Sequence, residues 1–255
     1  MEYTVSRWKR GEVSVELILF FTGLVVALVG TLAGSGGLIG MPVMLIVGLP
    51  IHTAIATAKF SNIISSFSSF VYLVTNRKVT WKECLPILPI ALAGGLSGAF
   101  LSDKIPPSLL EWMAFFFLLI ALLLSLYKGL KPKEQIKKHY RAYGYLYVIS
   151  VYDGLFGPGQ ATMLMYTHLL HGLSYLKSVA LTRFQTFVSC LAAFTIYFHN
   201  GHVEWNVAIP FALGALTGAQ LAVRLASRLS LKHLHILLNA LTLILILQLG
   251  KNLFF

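Results

Sequence analysis

Apolar residues run along this chain in long blocks, with polar and basic residues confined to the gaps. The blocks cover residues 16–33, 54–75, 84–101, 112–127, 143–156, 174–198, 205–223 and 233–249. Most reach the roughly 18 uncharged residues that cross a ~30 Å hydrocarbon layer. Two further apolar pieces, 38–49 and 161–170, are too short to cross unaided. Backbone groups in lipid must find hydrogen bonds inside their own segment, so each block is expected to be helical. The pattern predicts an all-α, polytopic integral membrane protein with eight spans and two half-helices.

The pattern also occurs twice. A shift of 124 positions lays Phe60 on Phe184, Ser65 on Ser189, Asn76 on Asn200, Trp81 on Trp205, Pro86 on Pro210 and Gly94 on Gly218. Lys59 then falls on Arg183, a cation on a cation. The chain is thus expected to be a single domain of two tandem repeats, about 14–128 and 142–253, joined by the basic linker 129–141. Four crossings per repeat would make the copies parallel, related by a pseudo-twofold axis along the membrane normal.

Composition agrees with a lipid solvent: 57% of residues are hydrophobic and 11% charged, well below the ~25% charged residues of a soluble domain. The formal charge of +11 comes from loops. It is therefore read as membrane orientation and not as a nucleic-acid surface. The clusters Arg7–Arg10, Arg77–Lys82 and Lys128–Arg141 share one side under the four-crossing count, and the positive-inside rule makes that side cytoplasmic. Both termini are expected there, in a bacterial inner membrane. Arg224, Arg228 and Lys232 are the exception, falling on the far side under this count. The first apolar block has the look of a signal peptide, but it runs into a repeated glycine break and is expected to be retained.

That break is the first candidate for chemistry. Gly34, Ser35, Gly36 and Gly37 in one copy, and Gly157, Pro158, Gly159 and Gln160 in the other, interrupt the helix before a half-helix begins. A restarting helix presents free N–H groups and its positive dipole end to the gap, which suits an anion. Lys59 with Ser61 and Asn62, and Arg183 with Gln185, sit about a turn and a half into the following spans. A cation at membrane depth costs at least ~2.5 kcal/mol at the helix centre, so it is expected to have a role. Asp153, beside the second break, is expected either to carry a coupling proton or to pair with Arg183. At the shift of 123 that aligns the two breaks, its counterpart in the first copy is Gly30.

Other chemistries find little support. His168 and His171 lack a third ligand for a metal. Ser35 lacks the Gly-x-Ser-x-Gly frame of a serine hydrolase, Ala33 standing in the first glycine's place, and no nucleotide-binding glycine loop is present. No enzyme activity, metal or cofactor is expected. Transport would draw on a proton or other ion gradient, or on a partner.

Three motifs carry a family resemblance: Ala-Thr-Ala-Lys-Phe at 56–60, Asn-Arg-Lys-Val at 76–79 and Val-Tyr-Asp-Gly-Leu-Phe-Gly-Pro-Gly at 151–159. With the repeated glycine breaks they make the chain similar to the sulfite exporter TauE/SafE family of membrane permeases, and to its YfcA-like members in particular. The resemblance runs from about residue 17 to 249. It departs at the first break, where Val29-Gly30-Thr31 stands in place of an upstream Asp. The resemblance implies transport of sulfite, a sulfonate or a related organosulfur anion across the inner membrane by alternating access. A passive anion channel with the same cationic lining is the alternative.

Overall fold

The computed structural model describes residues 15–34, 36–110, 112–113, 116 and 143–225. The linker 129–141, the predicted span 233–249 and nearly all of the span 112–127 lie outside the described residues, as does Ser35. Among the described residues the structure is all-helical. Helix α1 is Val15–Ala33, the half-helix α2 Gly37–Ile46, and α3 Ile51–Thr75. A short α4, Trp81–Cys84, continues through a 3-10 turn, Leu85–Ile87, into α5, Leu88–Asp103. After the linker come α6, Tyr143–Leu155, the half-helix α7, Gln160–Leu170, then α8, Tyr175–His199, and α9, Trp205–Leu225.

Among the described residues, four stretches are long and apolar enough to cross a membrane: Val15–Leu32, Trp81–Asp103, Tyr175–His199 and Trp205–Leu225. Helix α3 is as long as α8, at 25 residues each. It is not among the four, because Lys59 and a row of serines and threonines lower its hydropathy. Those polar residues point inward: Thr53, Thr57, Lys59, Ser61, Ser65 and Ser69 are all buried. Large apolar side chains point outward instead, among them Phe21, Val148 and Leu213. A polar interior inside an apolar jacket is the distribution that lipid selects, and it makes this a multi-pass membrane protein.

Close glycine contacts fix the relative direction of the helices. The backbone of Phe20 and Leu24 on α1 lies against Gly214 and Gly218 on α9, so these two helices run parallel. Gly94 and Gly98 on α5 meet Ser150 and Val151 on α6, again in parallel. These are the small-residue seams expected from the glycine spacing, where backbones approach closely in lipid.

The central pair behaves differently. Phe60 packs on Phe194, Phe67 on Phe187 and Phe70 on Phe184, so one residue number rises as the other falls. Helices α3 and α8 are therefore antiparallel. This overturns the expected parallel relation between the copies.

The reason lies at the breaks. Helix α9 also runs with α3, through Phe60 on Trp205 and Ser68 bonded to Gln220. Hence α1 and α3 share a direction, and α2 must lead the chain back between them. Gly36 against Gly30, and Gly40 against Val26, are contacts of such a hairpin. In the second copy α5 runs with α8, through Glu83 bonded to Lys177 and Gly95 on Ser189, so α6 also shares the direction of α8. Each half-helix thus adds one reversal, which the four-crossing count left out.

The basic residues then sort by end. Lys78, Asn76 and Arg224 border one surface depression, with Lys82 and Lys177 at the same end of the molecule. Arg224 therefore joins the cluster from which the four-crossing count excluded it. Helix α1 begins at the opposite end, beside Asp103, Lys104 and His202.

Candidate functional site

Each half-helix is held against the other copy's break. A side chain at Gly34 would collide with the backbone of Ala161 and Thr162, and a β-carbon at Gly37 would lie 2.9 Å from Pro158 Cα. The two breaks are therefore in van der Waals contact. Tyr197, fully buried, aims its hydroxyl at the carbonyls of Gly154 (3.1 Å) and Leu155 (3.3 Å) at the end of α6. Tyr152 donates 2.7 Å to Pro158 O within the second break. These bonds satisfy carbonyls that the interrupted helix leaves free.

Between the breaks lies a cavity of about 60 Å³, room for a few water molecules or one small anion. Gly34, Gly36 and Gly37 line one side; Gly157, Gly159 and Gln160 line the other. Helices α3 and α8 close it with Lys59, Ser61, Asn62, Arg183 and Thr186, while Met44, Phe156 and Phe211 supply the apolar wall. The positive ends of α2 and α7 both border this space.

The two cations are treated differently. Lys59, 1% exposed, forms an ion pair with Asp153 at 2.8 Å and also donates to the Asp153 carbonyl. The other carboxylate oxygen of Asp153 accepts from Ser189 Oγ, with Cys190 Sγ at 3.5 Å. Gly157 makes room for this pair. A β-carbon there would stand 2.8 Å from Lys59 Nζ and 3.1 Å from Asp153 Oδ1, on a backbone with φ of 106°. Only glycine adopts that conformation without strain.

Arg183 is 4% exposed and has no carboxylate partner among the described residues. Its guanidinium donates to Ser66 Oγ at 3.2 Å and to Thr31 Oγ1, and its Nε has no hydrogen-bond partner. Two hydroxyls orient this cation without neutralising it. The expected pairing of Asp153 with Arg183 is thereby corrected: Asp153 belongs to Lys59.

Thirteen residues were singled out from the sequence. Gly34, Gly36, Gly37, Lys59, Ser61, Asn62, Asp153, Gly157, Gly159, Gln160 and Arg183 come together at the cavity wall, although they lie on five helices and the two breaks. Gln185 does not join them. It points to α6, where its Nε2 donates 2.9 Å to both Leu146 O and Ser150 Oγ. Two residues past Arg183 is about 200° around the helix axis, which turns Gln185 to the opposite face.

Sequence reasoning missed Thr31 and Ser66, the partners of Arg183. Ser66 stands one place off the buried serine row, and only the packing of α3 on α8 reveals its use. Thr186, on α8, accepts from Gln160 Nε2 at 2.9 Å.

Comparison with known proteins agrees with this architecture. The family model described as "Sulfite exporter TauE/SafE" matches residues 19–249. The "Probable membrane transporter protein ORF9" of a Sinorhizobium species is 33% identical over 216 residues, 82% of each chain. A "Probable membrane transporter protein" of Haemophilus influenzae is 28% identical, covering 84% of this chain and 87% of its own. The corresponding protein YfcA of Escherichia coli is 24% identical over 82% of this chain and 79% of its own. These names indicate membrane transporters rather than enzymes. No solved structure matches the chain. With two interlocked glycine breaks, a buried cationic cavity and a family match over most of its length, this chain belongs to the TauE/SafE sulfite exporter family of membrane transporters.

Proposed function

We propose that the protein is a secondary transporter for a small anion, of the sulfite or sulfonate class, that binds between the two glycine breaks. One observation carries this reading: Arg183 is a buried cation at the cavity wall that two hydroxyls hold and no carboxylate among the described residues neutralises. Leaving such a charge unpaired in a membrane is costly, and an anionic substrate is the natural partner. Gly34, Gly36, Gly37, Gly157 and Gly159 let the substrate reach the backbone, while Ser61, Asn62 and Gln160 offer polar contacts. Asp153, held by Lys59 and Ser189, is the carboxylate that couples transport to protons.

The two halves act as inverted repeats. Support comes from helix bounds that recur at the shift of 124, Ile51–Thr75 on Tyr175–His199, and from the antiparallel packing of those two helices. Inverted copies around a central site can exchange conformations and so expose that site to either side in turn. The end that carries Arg77, Lys78, Lys82 and Arg224 is cytoplasmic, and α1 starts on the other side.

Purified protein in liposomes should exchange labelled methanesulfonate in counterflow, and Arg183→Gln should abolish most of that exchange. Equal exchange by the wild type and the variant would sink the assignment of the site. Orientation is tested with Cys84 and Cys190 changed to Ala. A cysteine at Lys104 should then react in intact cells with a membrane-impermeant thiol reagent, and one at Lys78 should be protected. The reverse pattern would invert the orientation.

A further inference from the structure

We infer that the Lys59–Asp153 pair sets the charge of the anion the cavity accepts, making the intact site selective for a monoanion. The inference rests on the reading of this cavity as the anion site. Among the described residues the cavity wall holds three ionisable side chains of formal charge: Lys59, Asp153 and Arg183. Lys59 and Asp153 cancel at 2.8 Å, so the wall carries one net positive charge, on Arg183.

With room for only a few water molecules, the space leaves a bound anion a partial hydration shell, so most of its counter-charge must come from the wall. Charges taken out of water must be matched locally, and an excess of either sign is strongly unfavourable. A monoanion neutralises the wall. A dianion leaves one negative charge buried, and a neutral ligand leaves Arg183 unpaired. Asp153 is thus a specificity-determining residue that acts through Lys59. Without its charge, Lys59 is released and the wall presents two cations.

The geometry favours that release. The Lys59 ammonium sits at Gly157, a glycine of the cavity lining, and needs no backbone movement to face the space. Lys59 and Arg183 stand on the antiparallel helices α3 and α8, so two free cations would flank a dianion from opposite walls.

Sulfate and methanesulfonate are suitable probes. Both are small and tetrahedral, they differ in charge, and neither changes protonation between about pH 5 and 9. Competition by each against labelled methanesulfonate would be measured in liposomes for the wild type, Asp153→Asn and the double variant Lys59→Gln/Asp153→Asn. The wild type should prefer methanesulfonate by at least tenfold. Asp153→Asn should move the ratio toward sulfate by at least tenfold. The double variant, back to one net cation, should regain the wild-type preference.

The same ratio in all three proteins overturns the inference, as does a sulfate preference in the double variant. If Asp153→Asn is not recovered folded, Lys59→Gln takes its place. With Asp153 left alone the wall carries no net charge, so competition by both anions should fall at least tenfold, and unchanged competition overturns the inference. Failure of both anions to compete in the wild type would instead refute the anion site itself.

Discussion

Lys59 and Arg183 occupy matching positions in the two halves, yet one is a neutralised cation and the other is not. Lys59 spends its charge on Asp153, which stands at the break of the opposite copy. The residue that would pair with Arg183 by the same rule is Gly30, which has no side chain. Its place is taken by the hydroxyls of Thr31 and Ser66. A single carboxylate, present in one copy and absent in the other, therefore turns a symmetric frame into an asymmetric site. Among the described residues, one half supplies a buried ion pair and the other a buried cation held by hydroxyls alone.

The largest expected effect comes from breaking the pair. Asp153→Ala should strand a buried ammonium and destabilise the protein by ~3–5 kcal/mol, measured as lost yield and a lower melting temperature in detergent. Lys59→Gln/Asp153→Asn should restore most of that stability, since neither charge is left alone. A double variant as unstable as the single one would mean that the pair is not the source of the effect.

Arg183→Gln sharpens the comparison from the other side. It removes a cation that no carboxylate among the described residues neutralises, so stability should be unchanged or improved. Affinity for the anion should fall by ~1.5–3 kcal/mol, the worth of a charge-assisted hydrogen bond. A variant that loses stability as Asp153→Ala does would show that Arg183 has a partner of its own and that the two halves are alike.

A smaller difference separates the ends of α3 and α8. Both close with the same turn: Lys78 N–H bonds Leu73 O at 2.9 Å, and His202 N–H bonds Tyr197 O at 3.0 Å. The left-handed position is Gly201 in one copy and Arg77 in the other, where φ is 55°. Arg77→Gly should relieve roughly 1 kcal/mol of backbone strain, read as a slightly higher melting temperature. A marked loss instead would mean that the Arg77 side chain holds that end in place.

Much of this was legible in the residues. The helices follow from apolar blocks that lipid forces into internal hydrogen bonding, and their bounds come within a few residues of those read from hydropathy. The breaks were visible as recurring glycines, and the cations as charges in apolar surroundings. Local chemistry of this kind depends on neighbours in the chain, and the chain states it directly.

Direction and partnership were not local. Whether a glycine break continues a helix or folds it back depends on the surface against which the half-helix packs. Here Gly34 and Gly37 bed on the other copy's break, and that contact reverses the chain. The sign of the repeat relation changes with it, and so does the side on which Arg224 lies. The same interlocking brings Asp153 to Lys59 rather than to Arg183, thirty residues on in its own copy. Burial demands a counter-charge for each cation, but sequence spacing is silent on which carboxylate arrives. Composition and periodicity thus determined a helical membrane protein with two glycine breaks and two buried cations. Only the packing of one copy through the other decided which cation stayed free, because a buried charge is paired by proximity in space.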